Sequence, residues 1–179
     1  MNQRGVTLVE LAIVLGITGI VATIAVPSYI KMLPHIALRN ETSEISMLLL
    51  QSRMRSIKET RYYRVAFDLT GDSYQVDLGD VAWDAGSGQN VIQWSGAGPP
   101  VTVSKRVDLH SDTSDALVPP FSGNRVIFNP NGTTDATGFE AVYLRNSPTT
   151  GERYRVKILG ATGKIGMERW TGGLWAKVF

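Results

Sequence analysis

Met1-Asn2-Gln3-Arg4-Gly5 runs directly into Val6-Thr7-Leu8-Val9-Glu10-Leu11-Ala12-Ile13-Val14-Leu15-Gly16-Ile17, the start of an apolar stretch that continues to Ile30 with Glu10 as its single charge. As a helix, residues 6–30 span about 37 Å, enough to cross a bilayer core of about 30 Å. The stretch therefore reads as a membrane anchor, and Arg4 biases its N-terminus toward the cytoplasm. Glu10 is the anomaly: a carboxylate at bilayer depth costs at least ~2.5 kcal/mol and is retained for a partner.

Three readings of this end compete. A secretory signal peptide has a positive leader and an apolar core, but its core is shorter, lacks an acid, and needs a better cleavage pattern than Thr23-Ile24-Ala25. A plain signal anchor accounts for the length and for Arg4 but leaves Glu10 and the Gly5-Val6 junction unexplained. The third reading rests on Arg4-Gly5-Val6-Thr7-Leu8-Val9-Glu10-Leu11, which resembles the processing site of type IV prepilins and pseudopilins. The resemblance implies cleavage by a prepilin peptidase between Gly5 and Val6, N-methylation of Val6, and a Glu10 that meets the mature N-terminal amine of a neighbouring subunit. An opposite charge is what makes a buried acid tolerable. Val6 stands where the family more often has phenylalanine.

The domains expected are a leader (1–5), a transmembrane or filament-core helix (6–30), an amphipathic helix continuing into a head (31–60), and a β-rich globular head (61–179). Pro27 and Pro34 are expected to kink the helix without ending it. Gly16 and Gly19 lie three apart, not four, and give only a weak packing signal. From Ala37 to Lys58, Ile45, Leu48, Leu49, Ser52 and Ile57 fall near one face and Arg39, Glu41, Glu44, Arg53 and Lys58 face solvent.

Beyond Thr60 the pattern turns to strands and turns. Tyr62–Leu69 and Tyr74–Leu78 read as a hairpin about Thr70-Gly71-Asp72. A second hairpin is expected to join Arg125–Phe128 to Phe139–Leu144 through Asn129-Pro130-Asn131-Gly132, and a third Tyr154–Leu159 to Lys164–Trp170, with a last strand after Gly172-Gly173. Asp80 to Pro120 reads as long loops. The predicted fold is α+β, one long helix packed on antiparallel hairpins.

The head resembles the GspH/FimT group of minor pilins and pseudopilins. The resemblance rests on Arg53-Met54-Arg55-Ser56-Ile57-Lys58, on Val126-Ile127-Phe128-Asn129-Pro130-Asn131-Gly132, and on Tyr154-Arg155-Val156-Lys157-Ile158 followed by Thr162-Gly163-Lys164-Ile165. It implies a structural subunit that joins other pilins or pseudopilins near the tip of a type II secretion pseudopilus or type IV pilus. Its head would be periplasmic and its anchor in the inner membrane before assembly.

Charge is uneven: residues 68–123 hold eight aspartates against Lys105 and Arg106, while residues 140–179 hold seven cations against three glutamates. Arg153, Arg155 and Lys157 alternate along one strand and so share a face. A basic stripe of this kind can neutralise DNA phosphates, with Tyr143, Trp170 and Trp175 available to stack on bases; the plainer reading is a solvated strand face. The acidic loops between Asp80 and Asp115 offer a weaker site for secreted proteins. His110, Asp112 and Asp115 follow no established metal-loop spacing. His35 and His110 have no nucleophile motif beside them, and Gly86, Gly88, Gly96 and Gly98 form no phosphate-cradling loop. The chain contains no cysteine, so no disulfide framework or thiol chemistry is available, and neither cofactor nor metal is expected.

Overall fold

The computed structural model describes residues 7–84, 89–111, 118–136, 138–146, 151–160 and 162–178. A single helix, α1 (Leu8–Glu59), runs for 52 residues, about 78 Å, and remains helical through Pro27 and Pro34. It starts at Thr7, whose hydroxyl accepts the Glu10 amide proton at 3.2 Å. It stops at Thr60, which adopts a left-handed conformation (φ 52°) and returns its N–H to the Ser56 carbonyl.

Among the described residues ten strands follow: β1 (Tyr62–Asp68), β2 (Ser73–Asp84), β3 (Gln89–Gly96), β4 (Val101–Thr102), β5 (Val107–His110), β6 (Arg125–Phe128), β7 (Phe139–Asn146), β8 (Arg153–Leu159), β9 (Lys164–Trp170) and β10 (Trp175–Lys177). They form two antiparallel sheets. One has the order β3-β2-β1-β6, with β4 also on β2, and the other has the order β10-β9-β8-β7-β5. The helix touches both, so the architecture is α+β with one helix on antiparallel sheets.

Between helix and sheets lies one core. Leu38, Ile45 and Leu49 of α1 meet Tyr63, Val65 and Phe67 of β1, Val126 and Phe128 of β6, and Val156 and Ile158 of β8. The period-2 burial of β1 is what a strand with one covered face requires. The buried helix stripe also includes Thr42, Ser46, Ser52 and Ser56. These small side chains let the helix lie close to the sheets. The Thr42 and Ser56 hydroxyls donate to their own helix's Leu38 and Arg53 carbonyls, both at 2.7 Å, so neither is orphaned. Ile57, expected inward, is half exposed at the edge of the interface, and Met47, Leu50 and Met54 are exposed as well.

The β1–β2 and β8–β9 hairpins form as the turn signals indicate. The hairpin expected between β6 and β7 does not form. Asn129-Pro130-Asn131-Gly132 does close a tight turn, with the Gly132 N–H on the Asn129 carbonyl at 2.8 Å. The return leg, however, makes only a single bridge, Phe128 to Thr134. β6 pairs with β1 and β7 with β8, so the chain crosses from one sheet to the other here. The stretch expected as loops also carries strands. β2 continues to Asp84 against β3, and β5 pairs with β7.

Candidate assembly surface and the basic strand

From Leu8 to Met32 every residue of α1 is exposed, with Leu8 at 84% and Ile24 at 73%. A helix apolar on all sides is stable only when something apolar surrounds it; α1 is long and apolar enough to cross a membrane. Glu10 sits in its first turn. Among the described residues no side chain pairs with its carboxylate. Gly5 and Val6 lie outside the described residues. Thr7 is a contributor that sequence reasoning passed over. The Thr7-x-x-Glu10 spacing is a capping-box signature and was open to reading.

At the other end, the three segments that carry the head's resemblance converge. Arg53 donates from Nε to the Gly132 carbonyl at 3.0 Å. Gly163 (φ 62°) lies so close that a Cβ there would stand 2.5 Å from the Gly132 carbonyl oxygen and 2.8 Å from Arg53 Nε. Gly132 itself (φ 79°) rests on Ile57. This junction fixes the turn after β6 and the turn before β9 onto the last helical turns. Lower on α1, His35 pairs with Glu152 just ahead of β8, and the Glu41 carboxylate accepts the Ser104 N–H at 2.8 Å.

The basic strand is built differently from a solvated stripe. Arg153 is exposed at the start of β8. Arg155 is 5% exposed and donates from Nε to Glu168 Oε2 at 2.8 Å, its register partner on β9. Lys157 pairs with the other oxygen of the same carboxylate. Burial pushes the Glu168 carboxyl up; hydrogen bonds from Lys157 and Arg155 overcome this and hold it below its ordinary value. The outer face of the sheet carries a second small core, in which Val118, Ala141 and Tyr143 pack against Trp175. The Tyr143 hydroxyl donates to the Val118 carbonyl, and the Arg155 guanidinium stacks 4.3 Å from the Trp175 ring centre. The other sheet repeats the device: Arg64 is held by its cross-strand partner Asp77 at 2.8 Å and lies 4.5 Å from the Trp94 ring. His110 ends β5, while Asp112 and Asp115, its suggested companions, lie outside the described residues.

Comparison with known proteins agrees with both ends of this geometry. A family model described as the prokaryotic N-terminal methylation motif matches residues 1–26. No curated protein sequence matches significantly. Among solved structures, one of the minor pseudopilin EpsH from the type 2 secretion system of Vibrio cholerae aligns at a TM-score of 0.49 and 12% identity, covering 73% of this chain and 94% of that one. A crystal structure of the same protein aligns at 0.47 and 12%, covering 73% and 95%. The model for the type II transport protein GspH matches residues 41–162, most of the chain, and on that match this chain belongs to the GspH family of pilin-like structural subunits.

Proposed function

We propose that the protein is a minor pseudopilin, processed by prepilin peptidase between Gly5 and Val6 and assembled at or near the tip of a type II secretion pseudopilus. The observation that carries this reading is the exposed apolar length of α1 from Leu8 to Met32, with one acid in its first turn that pairs with no side chain among the described residues. Before assembly the helix spans the inner membrane and holds the head on the periplasmic side. During assembly the same surface exchanges lipid for neighbouring helices, and the Glu10 carboxylate meets the methylated amine of Val6 on an adjacent subunit. That pairing sets axial register, because a misplaced subunit leaves a charge buried without a partner. Packing of the basic strand lends little to the alternative of DNA capture, since Arg155 and Lys157 already share Glu168.

The test is Glu10→Leu. Removing the acid lowers the cost of the membrane-embedded state, so fractionation finds the variant in the inner membrane at wild-type levels, while its recovery in sheared pseudopili falls at least several-fold. Wild-type incorporation of the variant overturns the register mechanism.

A further inference from the structure

A site separate from the assembly helix lies on the outer face of the β7-β8-β9-β10 sheet. It is a depression of about 300 Å³ whose apolar floor is Phe139 and Leu159; Ile165, at its edge, turns its side chain to the main core with Ile158. Three ammonium groups, Lys157, Lys164 and Lys177, stand around it. Lys157 reaches across the floor with Nζ 5.1 Å from the Phe139 ring centre, and Phe139 is 44% exposed, a large apolar surface left open to water. One carboxylate, Glu168, lines the wall and is already engaged by Arg155 and Lys157. Among the described residues neither Lys164 nor Lys177 has an ion-pair partner, so the rim is strongly cationic around an apolar floor.

We propose that this depression is a docking site for an acidic protein segment that inserts one apolar side chain between flanking carboxylates. The size sets the first limit: about 300 Å³ is the lower end of ligand-site volumes and admits one large side chain, not a cofactor. The charge sets the second: Lys157 is held by Glu168, which leaves the Lys164 and Lys177 ammonium groups to attract anions of either kind. Bidentate phosphate recognition favours arginine forks, and the cations that line the depression are all lysines. The exposed Phe139 sets the third: with Leu159 it makes an apolar floor that an inserted apolar side chain covers and a phosphate does not, and a stacked base is the competing occupant that an oligonucleotide tests. The proposal is independent of how α1 assembles.

The experiment uses the full chain in detergent micelles and a capped hexapeptide, Asp-Asp-Leu-Phe-Asp-Asp, followed by amide chemical shifts and fluorescence anisotropy. Expected are shifts centred on Phe139, Ile165, Lys164 and Lys177, and a loss of affinity of roughly tenfold or more in K164E/K177E, about 1.4 kcal/mol. A control peptide with Ser-Ser at the centre binds at least as much more weakly. Thermal melts of K164E/K177E match wild type, so lost binding is not lost fold. Absence of shifts at millimolar peptide overturns the site, and equal binding of the serine peptide overturns the apolar anchor. Tighter binding of a single-stranded oligodeoxynucleotide at the same residues overturns the choice of a protein partner.

Discussion

Glu168 and Gly163 each concentrate a structural requirement in one residue. Glu168 is the single carboxylate shared by Arg155 and Lys157 on a nearly buried strand face. Removing one partner from such a cluster leaves the other charges desolvated and uncompensated, which costs about 3 kcal/mol or more. Glu168→Gln should therefore lower the denaturation midpoint sharply in urea titrations at pH 7. The pH dependence has a definite sign: a carboxyl held below its ordinary value of 4.5 contributes fully above that value and loses its contribution as the pH falls through the folded-state value. Wild-type stability should thus decline between neutral pH and strongly acidic pH by more than that of Glu168→Gln; parallel profiles would exclude this carboxylate as a major term. Gly163 meets a different constraint, a left-handed φ with backbone on its Cβ side. Gly163→Ala should cost about 2 kcal/mol or more, seen as a drop in Tm, and a neutral result would mean that the Arg53 junction yields easily. The Arg153-Arg155-Lys157 alternation was legible as a shared face. Its acid partner went unread, although Glu168 lies on β9 of the expected hairpin: pairing it with Arg155 takes the residue-level register as well as the existence of the turn.

The long helix was the most legible element, since continuous hydropathy and then an apolar stripe both repeat at helical period. What the stripe rule misassigned was Ile57, which stays half exposed at the edge of the interface, and what it passed over were Ser46 and Ser56, which share the inner face with Ser52 as read. The reason is closeness: small residues allow two sheets to approach one helix, and hydropathy ranks them as polar. The helix end carries a separate cost, because Thr60 is β-branched and sits at φ 52°, a region in which a Cβ is penalised by about 1–2 kcal/mol. Thr60→Gly should raise stability by about 1 kcal/mol and delay thermal unfolding; a fall would mean that the threonine side chain is itself needed there. Of the hairpins, β1–β2 and β8–β9 were legible because both strands and the turn lie within one local segment. The β6–β7 pairing failed for the complementary reason. Its Asn-Pro-Asn-Gly turn is real, but the β1 edge competes for β6 and wins. Strands β3 and β4 were hidden by the glycine and proline around them, although Val91-Ile92-Gln93-Trp94 carried a short β-rich signal, and β5 by its shortness among charged and polar residues.

At the scale of the whole molecule, a head tied firmly to one half of α1 leaves the other half with no packing partner among the described residues. Arg53, Glu41 and His35 anchor the head at successive levels of the helix, and below His35 every residue from Leu8 to Met32 stays exposed. Such a molecule is built to be finished by its neighbours, and the identity of those neighbours decides which filament it joins. Ser28 lies on this exposed length, one residue beyond Pro27. The chain has no cysteine of its own, so Ser28→Cys introduces a unique thiol without a competing background. In cells, a linker with one thiol-reactive end and one photoreactive end should join this position to other pilin-type subunits. Mass spectrometry should find secretion-system pseudopilins among the adducts, and the adducts should weaken when Glu10→Leu is added, because loss of register moves the helices apart. Adducts with pilus subunits would assign the protein to a pilus instead. Lipid adducts alone, under conditions where secretion is active, would mean that the anchor never leaves the membrane, and the assembly role would fall with it.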